Sequence, residues 1–469
     1  MASNKALRSG VGYTLGNVLI KGINFLTLPI FSRILSPEEF GVYTVFASYD
    51  TILFVIIGLA LHTSIQSANF EFKGQINRYT SSVTLIYILN AVFLLAVAAL
   101  FRQQLSQLLD IPPAAVILLI LGSLSGAVIT LYNTRISLDY SYKKYLLVSA
   151  CNSLFNIGVS LLLMLTLFKD NRVMGRIIGS VLPQFVITLV LLFSFYRKAK
   201  PKPSKTYWRF GITYCLPIVP HGISQVLLSQ CDRIMIRSLV NDAAAGIYSL
   251  AANLKLVLNI ITDSIATAWN TWFYAQMGQE NRQAIQKRAT QLMLLFFALA
   301  VGMMAVSPEL IWLLGGPEYT LGKYVAIPMM LDAFIQFLSN LIVPAEYYSK
   351  KTTYIMAGTM IASILNIALN YIFIRKFGFM AAAYTTLASY ACYLALHYVI
   401  SRKLVRFFVL PFRRMLGICT LIAGIAVWNL WFIDNLLLRW TMCAVVVIPV
   451  GCMLLRVIMQ DKTHNQPAN

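Results

Sequence analysis

About fourteen runs of roughly 20 apolar residues follow one another along this chain, separated by short polar turns. A helix of that length crosses about 30 Å of hydrocarbon, and in lipid only helices and closed barrels satisfy their own backbone. Barrel strands alternate apolar and polar residues at every second position, a pattern not found here. The composition agrees, with 58% hydrophobic and 12% charged residues, where soluble domains carry about 25% charged. The expected fold is an all-α polytopic membrane protein.

A long repeat refines this. Residues 32–43 read SRILSPEEFGVY and residues 237–248 read RSLVNDAAAGIY. Each passes from an arginine through a polar turn and re-enters apolar sequence at Gly-aliphatic-Tyr. Gly41 and Gly246 align at an offset of 205 residues, with a one-residue gap before the glycine. Two homologous halves are implied. The first twelve runs divide six and six around residues 197–209, RKAKPKPSKTYWR, which is basic and proline-containing and reads as an exposed linker. Because six is even, the halves share one orientation, and a pseudo-twofold axis along the membrane normal is expected, as in alternating-access transporters with parallel repeats. The expected organisation is an N-lobe over 1–200, a C-lobe over 201–405, and two further helices with a tail over 406–469.

The net charge of +21 fits the positive-inside rule better than nucleic-acid binding. With the N-terminus cytoplasmic, Lys and Arg in the inner loops outnumber those in the outer loops by roughly 2.5 to 1. Both termini are therefore expected in the cytoplasm, and the loop carrying Lys169, Arg172 and Arg176 is the exception. The seven cysteines lie in or at the ends of apolar runs and read as free thiols. No short apolar core with a cleavage site marks a signal peptide. No nucleotide, zinc or nucleophile motif appears, so neither catalysis nor a metal or cofactor is expected.

Ionisable groups in hydrocarbon are costly and mark functional candidates. In the first run Tyr13, Asn17, Lys21 and Asn24 recur at spacings of 4, 4 and 3, on one helical face. His221, Gln225, Ser229 and Asp232 repeat that pattern in the seventh run. Lys255, Asn259 and Asp263 follow in the eighth, and Asp332, Gln336 and Asn340 in the tenth, with Glu346 near its end. Four polar stripes on apolar helices suit the lining of one wet cavity. Lys21 has no acid within a turn of its own helix and reads as an anion contact ahead of a salt bridge with Asp50. Asp232 and Arg233, being adjacent, point about 100° apart, and Lys255 and Asp263 are open to linkage through a neighbouring helix. His221 and His397 read as hydrogen-bonded packing residues. Pro217 and Pro220 are expected to bend the seventh run. Tyr43, Tyr207, Trp208, Trp269, Trp272 and Trp440 read as an interfacial aromatic belt.

Four segments then resemble a known family: SRILSPEEFGVYTV, DRIMIRSLVNDAAAGIYSLA, AEYYSKKT and SILNIALNYIFIRKFGFMAAAYTTLASY. In this order they are similar to the polysaccharide transporter family. Its members include the Wzx-type O-antigen and exopolysaccharide repeat-unit flippases, within the multidrug/oligosaccharidyl-lipid/polysaccharide exporter (MOP) superfamily. The resemblance covers about the first 400 residues. It implies two six-helix lobes, MATE-like, around a cavity that carries undecaprenyl-pyrophosphate-linked oligosaccharide across the bacterial cytoplasmic membrane, with some members bearing two extra C-terminal helices. A polysaccharide polymerase and a chain-length regulator are implied partners. On this reading Lys21, Arg233 and Lys255 meet the anionic head group, Arg33 stands at the outer mouth, and Asn17, Asn24, Gln225, Asn259 and Gln336 meet sugar hydroxyls. Asp232, Asp263, Asp332 and Asp50 are candidates for a coupling proton or sodium ion. The competing readings are a cation-coupled multidrug exporter, which would favour acids over these cations, a lipid II flippase, and a non-transporting scaffold subunit.

Overall fold

A computed structural model describes residues 2–464, and helix accounts for nearly all of them. The helices are α1 (Ala2–Leu26), α2 (Leu28–Ile34), α3 (Pro37–Gly58), α4 (Ile65–Glu71), α5 (Ile76–Leu100), α6 (Arg102–Leu109) and α7 (Pro113–Ser137). There follow α8 (Tyr142–Leu165), α9 (Arg172–Lys198), α10 (Lys205–Cys215), α11 (Val219–Leu239), α12 (Asp242–Gly278) and α13 (Arg282–Gly315). The chain ends with α14 (Gly322–Ile342), α15 (Pro344–Tyr348), α16 (Thr352–Phe377), α17 (Ala381–Val405), α18 (Phe412–Trp431) and α19 (Leu436–His464). Among the described residues twelve helical spans are long and apolar enough to cross a membrane, and α10 with α11 makes a thirteenth. The remaining long helix, α17, has 25 residues. Its buried Thr385, Thr386, Ser389, His397 and Ser401 lower its apolarity, so the expected fourteen is approximate. No disulfide joins the cysteines.

The chain forms two compact units, Met1–Gly246 and Ile247–Asn469. The first runs to Gly246, past the lobe boundary expected at residues 200–201, with α11 packed along α3. Gln230 accepts a hydrogen bond from Ser48 (3.2 Å), and Gly222 faces the Val55 side chain. The linker itself is largely structured. α9 runs to Lys198 and α10 begins at Lys205, where the Ser204 side chain caps the Tyr207 amide. Past the prolines, apolar residues dock this helix on α5. Tyr207 donates to Gln75 (2.6 Å), the Trp208 indole donates to the Ser82 carbonyl (3.0 Å), and Phe210 meets Phe72 edge-on. Between α10 and α11 the chain bends by 51°, at the Pro217 and Pro220 positions.

The repeated stretch forms a helix start in both copies. Ser36 caps α3 with a full capping box, its side chain accepting from the Glu39 amide while Glu39 accepts from the Ser36 amide. Asn241 accepts from the Ala244 amide (2.8 Å) at the start of α12. Each cap lies five residues before its glycine, so the one-residue gap falls in the turn ahead of the cap. The two helix starts cross in the first unit at Gly41 and Gly246. A Cβ on Gly41 would sit 1.9 Å from the Asp242 carbonyl oxygen, and one on Gly246 would sit 2.0 Å from that of Pro37. Each glycine thus faces the carbonyl four residues ahead of the other. Removing the cap alone is expected to be milder: Ser36→Ala lowers stability by about 1 kcal/mol, read as a fall of a few degrees in Tm, and an unchanged Tm would count against the box.

The second unit is built around α14, whose side chains are buried almost throughout. Phe337 stacks on Phe296 of α13 at 4.0 Å between centroids. The two C-terminal helices, outside the repeat, pack on α13, with the buried Arg439 of α19 gripping Glu309 through both carboxylate oxygens.

Candidate functional site

In lipid a polar side chain must find a partner on a neighbouring helix, and the four stripes do so to different degrees. α1 lies against α8, and Gly16 makes room for Leu146 there. Tyr145 of α8 donates to Asn17, Ser153 donates to Asn24 (2.6 Å), and the Tyr13 ring lies 5.0 Å from that of Tyr145. The asparagines of this stripe therefore also stitch α1 to α8. Lys21 lies between them on the same face, half-buried, whereas Arg33 at the end of α2 is exposed. Asp50 of α3 accepts from the Ser123 hydroxyl of α7 (2.6 Å).

On α11, Asp232 is buried, Arg233 and His221 are half-buried, and Gln225 is exposed. Arg233 donates to Gln230, the amide that also receives Ser48. One turn further on, Arg237 joins Asp110, at 3.1 Å, to Asp242 at the start of α12.

The second unit assembles the tightest group. Lys255 of α12 forms an ion pair with Asp332 of α14. The Gln336 amide donates to both Asp332 oxygens, at 3.2 and 3.1 Å. Asp332 is 2% exposed. The ring of Tyr390 on α17 covers the ammonium, 5.3 Å from the ring centroid. The eight-residue link from Lys255 to Asp263 considered from sequence gives way to this contact 77 positions away. Asn259 is half-buried one turn beyond Lys255, and Asp263 is exposed. Such a cluster holds an ammonium between a carboxylate and an aromatic face, and it offers either an anion contact or a cation seat.

Two placements escaped the sequence reading, that of Arg176 with Arg172 and that of Trp269. Arg176, counted there as a loop charge, is buried inside α9. Its guanidinium lies 4.0 Å from the Phe31 ring and 4.4 Å from the Tyr43 ring, and it donates to Asn156 (2.8 Å) and Ser160 (2.6 Å). Arg172 donates to the Ile34 carbonyl (2.7 Å) at the end of α2. Two of the three cations that broke the positive-inside pattern are thus structural. Trp269, read as part of an aromatic belt, is instead buried and donates to the Leu341 carbonyl (3.1 Å). His397, by contrast, takes the hydrogen-bonded packing role expected of it, bonding Glu346 at 2.6 Å with both side chains fully buried. Tyr390, unlike its neighbours in the Lys255 group, was not named as a site residue, although it ends the last family-like stretch.

Comparison with known proteins fits this geometry. The polysaccharide biosynthesis protein family matches residues 6–273, and the MatE family matches residues 217–372. The probable low-salt glycan biosynthesis flippase Agl15 of Haloferax volcanii is 21% identical over 83% of this chain and 82% of its own. Lsg locus putative protein 1 of Haemophilus influenzae is 24% identical over 78% and 90%. Among solved structures, the lipid II flippase MurJ in an inward closed conformation superposes with a TM-score of 0.70 at 14% identity, over 95% of this chain and 99% of that one. An inward-facing multidrug resistance MATE transporter of the MOP superfamily gives 0.66 at 13% identity, over 82% and 94%. The structural likenesses show a shared fold, and the family match, which takes in more than half of the sequence, shows kinship: the chain belongs to the polysaccharide biosynthesis protein family.

Proposed function

We propose that this MOP-superfamily protein is a flippase that carries an undecaprenyl-pyrophosphate-linked oligosaccharide from the inner to the outer leaflet of the cytoplasmic membrane. The observation that carries the reading is the set of cations on membrane-embedded helix faces, Lys21, Arg233 and above all Lys255. A fixed positive charge in a low-dielectric surrounding lowers the cost of bringing a pyrophosphate through. A multidrug exporter with cationic substrates has no use for these charges. The names of the glycan and lipid II flippases it resembles support the same substrate class. On this reading Asn17, Asn24, Gln225, Asn259 and Gln336 meet sugar hydroxyls, both termini lie in the cytoplasm, and a polymerase receives the product.

Deleting the gene is expected to leave lipid-linked repeat units in the inner leaflet. Restoring it with Lys21→Ala or Lys255→Ala is expected to return at most about a tenth of the surface polysaccharide, since one charged hydrogen bond is worth about 1.5–3 kcal/mol. Polysaccharide at the wild-type level, with normal protein abundance, would remove the anion-carrying reading. Altered drug sensitivity without lipid accumulation would favour the exporter.

A further inference from the structure

Lys255 serves an anion in that proposal, and Asp332 is a sequence candidate for a coupling cation, yet they hold each other. Asp332 is almost wholly buried and receives the Lys255 ammonium together with the Gln336 amide. A buried carboxylate stripped of its countercharge is strongly disfavoured, because the interior does not replace the water it lost. A phosphate that draws the Lys255 ammonium to itself creates this situation. The two anions compete for one cation.

We propose that Asp332 with Gln336 is a monovalent-cation seat that Lys255 fills itself while no phosphorylated head group is present. Resting on the flippase reading, this adds a rule of local neutrality. When the head group takes Lys255, a proton or a sodium ion takes the vacated place on Asp332. When the head group leaves, Lys255 returns and the cation is released. Anion and cation binding are then positively linked, and by reciprocity each strengthens the other by the same factor. The elements packed around Asp332 bring the following groups to it. α12 presents Lys255, α17 presents Tyr390, and α14 supplies Gln336 one turn from Asp332. The neighbouring α13 contributes the apolar Phe296 and Phe297, and α18 buries Ile422 and Ile425. Glu346 and His397 are engaged with each other more than three turns further along.

The test uses the purified full-length protein and farnesyl pyrophosphate as a soluble polyprenyl pyrophosphate. Binding is titrated against pH in sodium-free buffer, and against sodium at constant ionic strength balanced with choline. The wild type is expected to bind more tightly as protons or sodium are added, and whichever arm responds identifies the ion. Asp332→Asn, which frees Lys255 without changing the size of the side chain, is expected to bind about tenfold more tightly and to lose the dependence, leaving only the probe's own protonation. Lys255→Ala is expected to weaken binding. If the wild type binds the probe but responds to neither ion, or if Asp332→Asn binds no more tightly, the exchange is overturned and the flippase reading stands. If the wild type does not bind the probe at all, the anion reading falls and takes the exchange with it.

Discussion

Gly41→Ala is expected to cost more than about 3 kcal/mol, at or beyond the upper end of what overpacking usually does. The added methyl carbon would lie 1.9 Å from a backbone oxygen of Asp242, and no rotamer change removes a backbone atom. The two helix starts have to separate, giving up the close contact that small residues allow in membrane proteins. Gly246→Ala presses on the Pro37 carbonyl in the same way and should cost as much. The double substitution should cost less than the sum, because the first has already parted the helices. Gly424→Ala is the control: nothing lies within 4 Å of the new carbon, and its Tm should stay close to that of the wild type. Thermal unfolding of the purified protein, followed by size exclusion or tryptophan fluorescence, reads all four. Wild-type stability in Gly41→Ala would show that the crossing is not tight.

A comparable effect is expected at the Glu346–His397 pair. Both side chains are fully buried and bonded at 2.6 Å, and His397 fits only because position 358 has no side chain; a Cβ there would lie 2.5 Å from its Nε2. Removing one member of a buried polar pair leaves the other without a partner. Glu346→Leu should therefore destabilise by about 3 kcal/mol or more. Adding His397→Leu should recover part of the loss, because the orphaned ring goes with it. Strict additivity of the two changes, measured as Tm, would mean that the pair carries no coupling.

What could be read from the sequence follows from what is local. The Gly-aliphatic-Tyr re-entry at 41–43 and 246–248 and the polar stripes are each defined within one or two turns, so spacing alone was enough to pick them out. The partner of Lys255 was out of reach. Periodicity tells which residues share a face of α12 but not which face of α14 it meets. Asp263, though on the same side, is about 12 Å further along the axis at 1.5 Å per residue. The linker misled for a different reason. Its prolines end at Pro203 and its lysines at Lys205, and the residues that dock α10 are aromatic ones that follow, of which Tyr207 and Trp208 had been assigned to a belt. Arg176 was misplaced because a cation near the end of an apolar run is usually in water, and nothing nearby in sequence announces that Phe31 and Tyr43 will enclose it.

The crossing of α3 and α12 has one more consequence. Its form is that of an isologous contact, in which one position meets its counterpart and is met by it in return. A protein made of one half alone would possess both surfaces needed to join a second copy of itself. In the joined chain the same arrangement ties the fates of two codons some six hundred nucleotides apart. Neither glycine is free to drift alone, since the space each leaves is filled by the other's backbone.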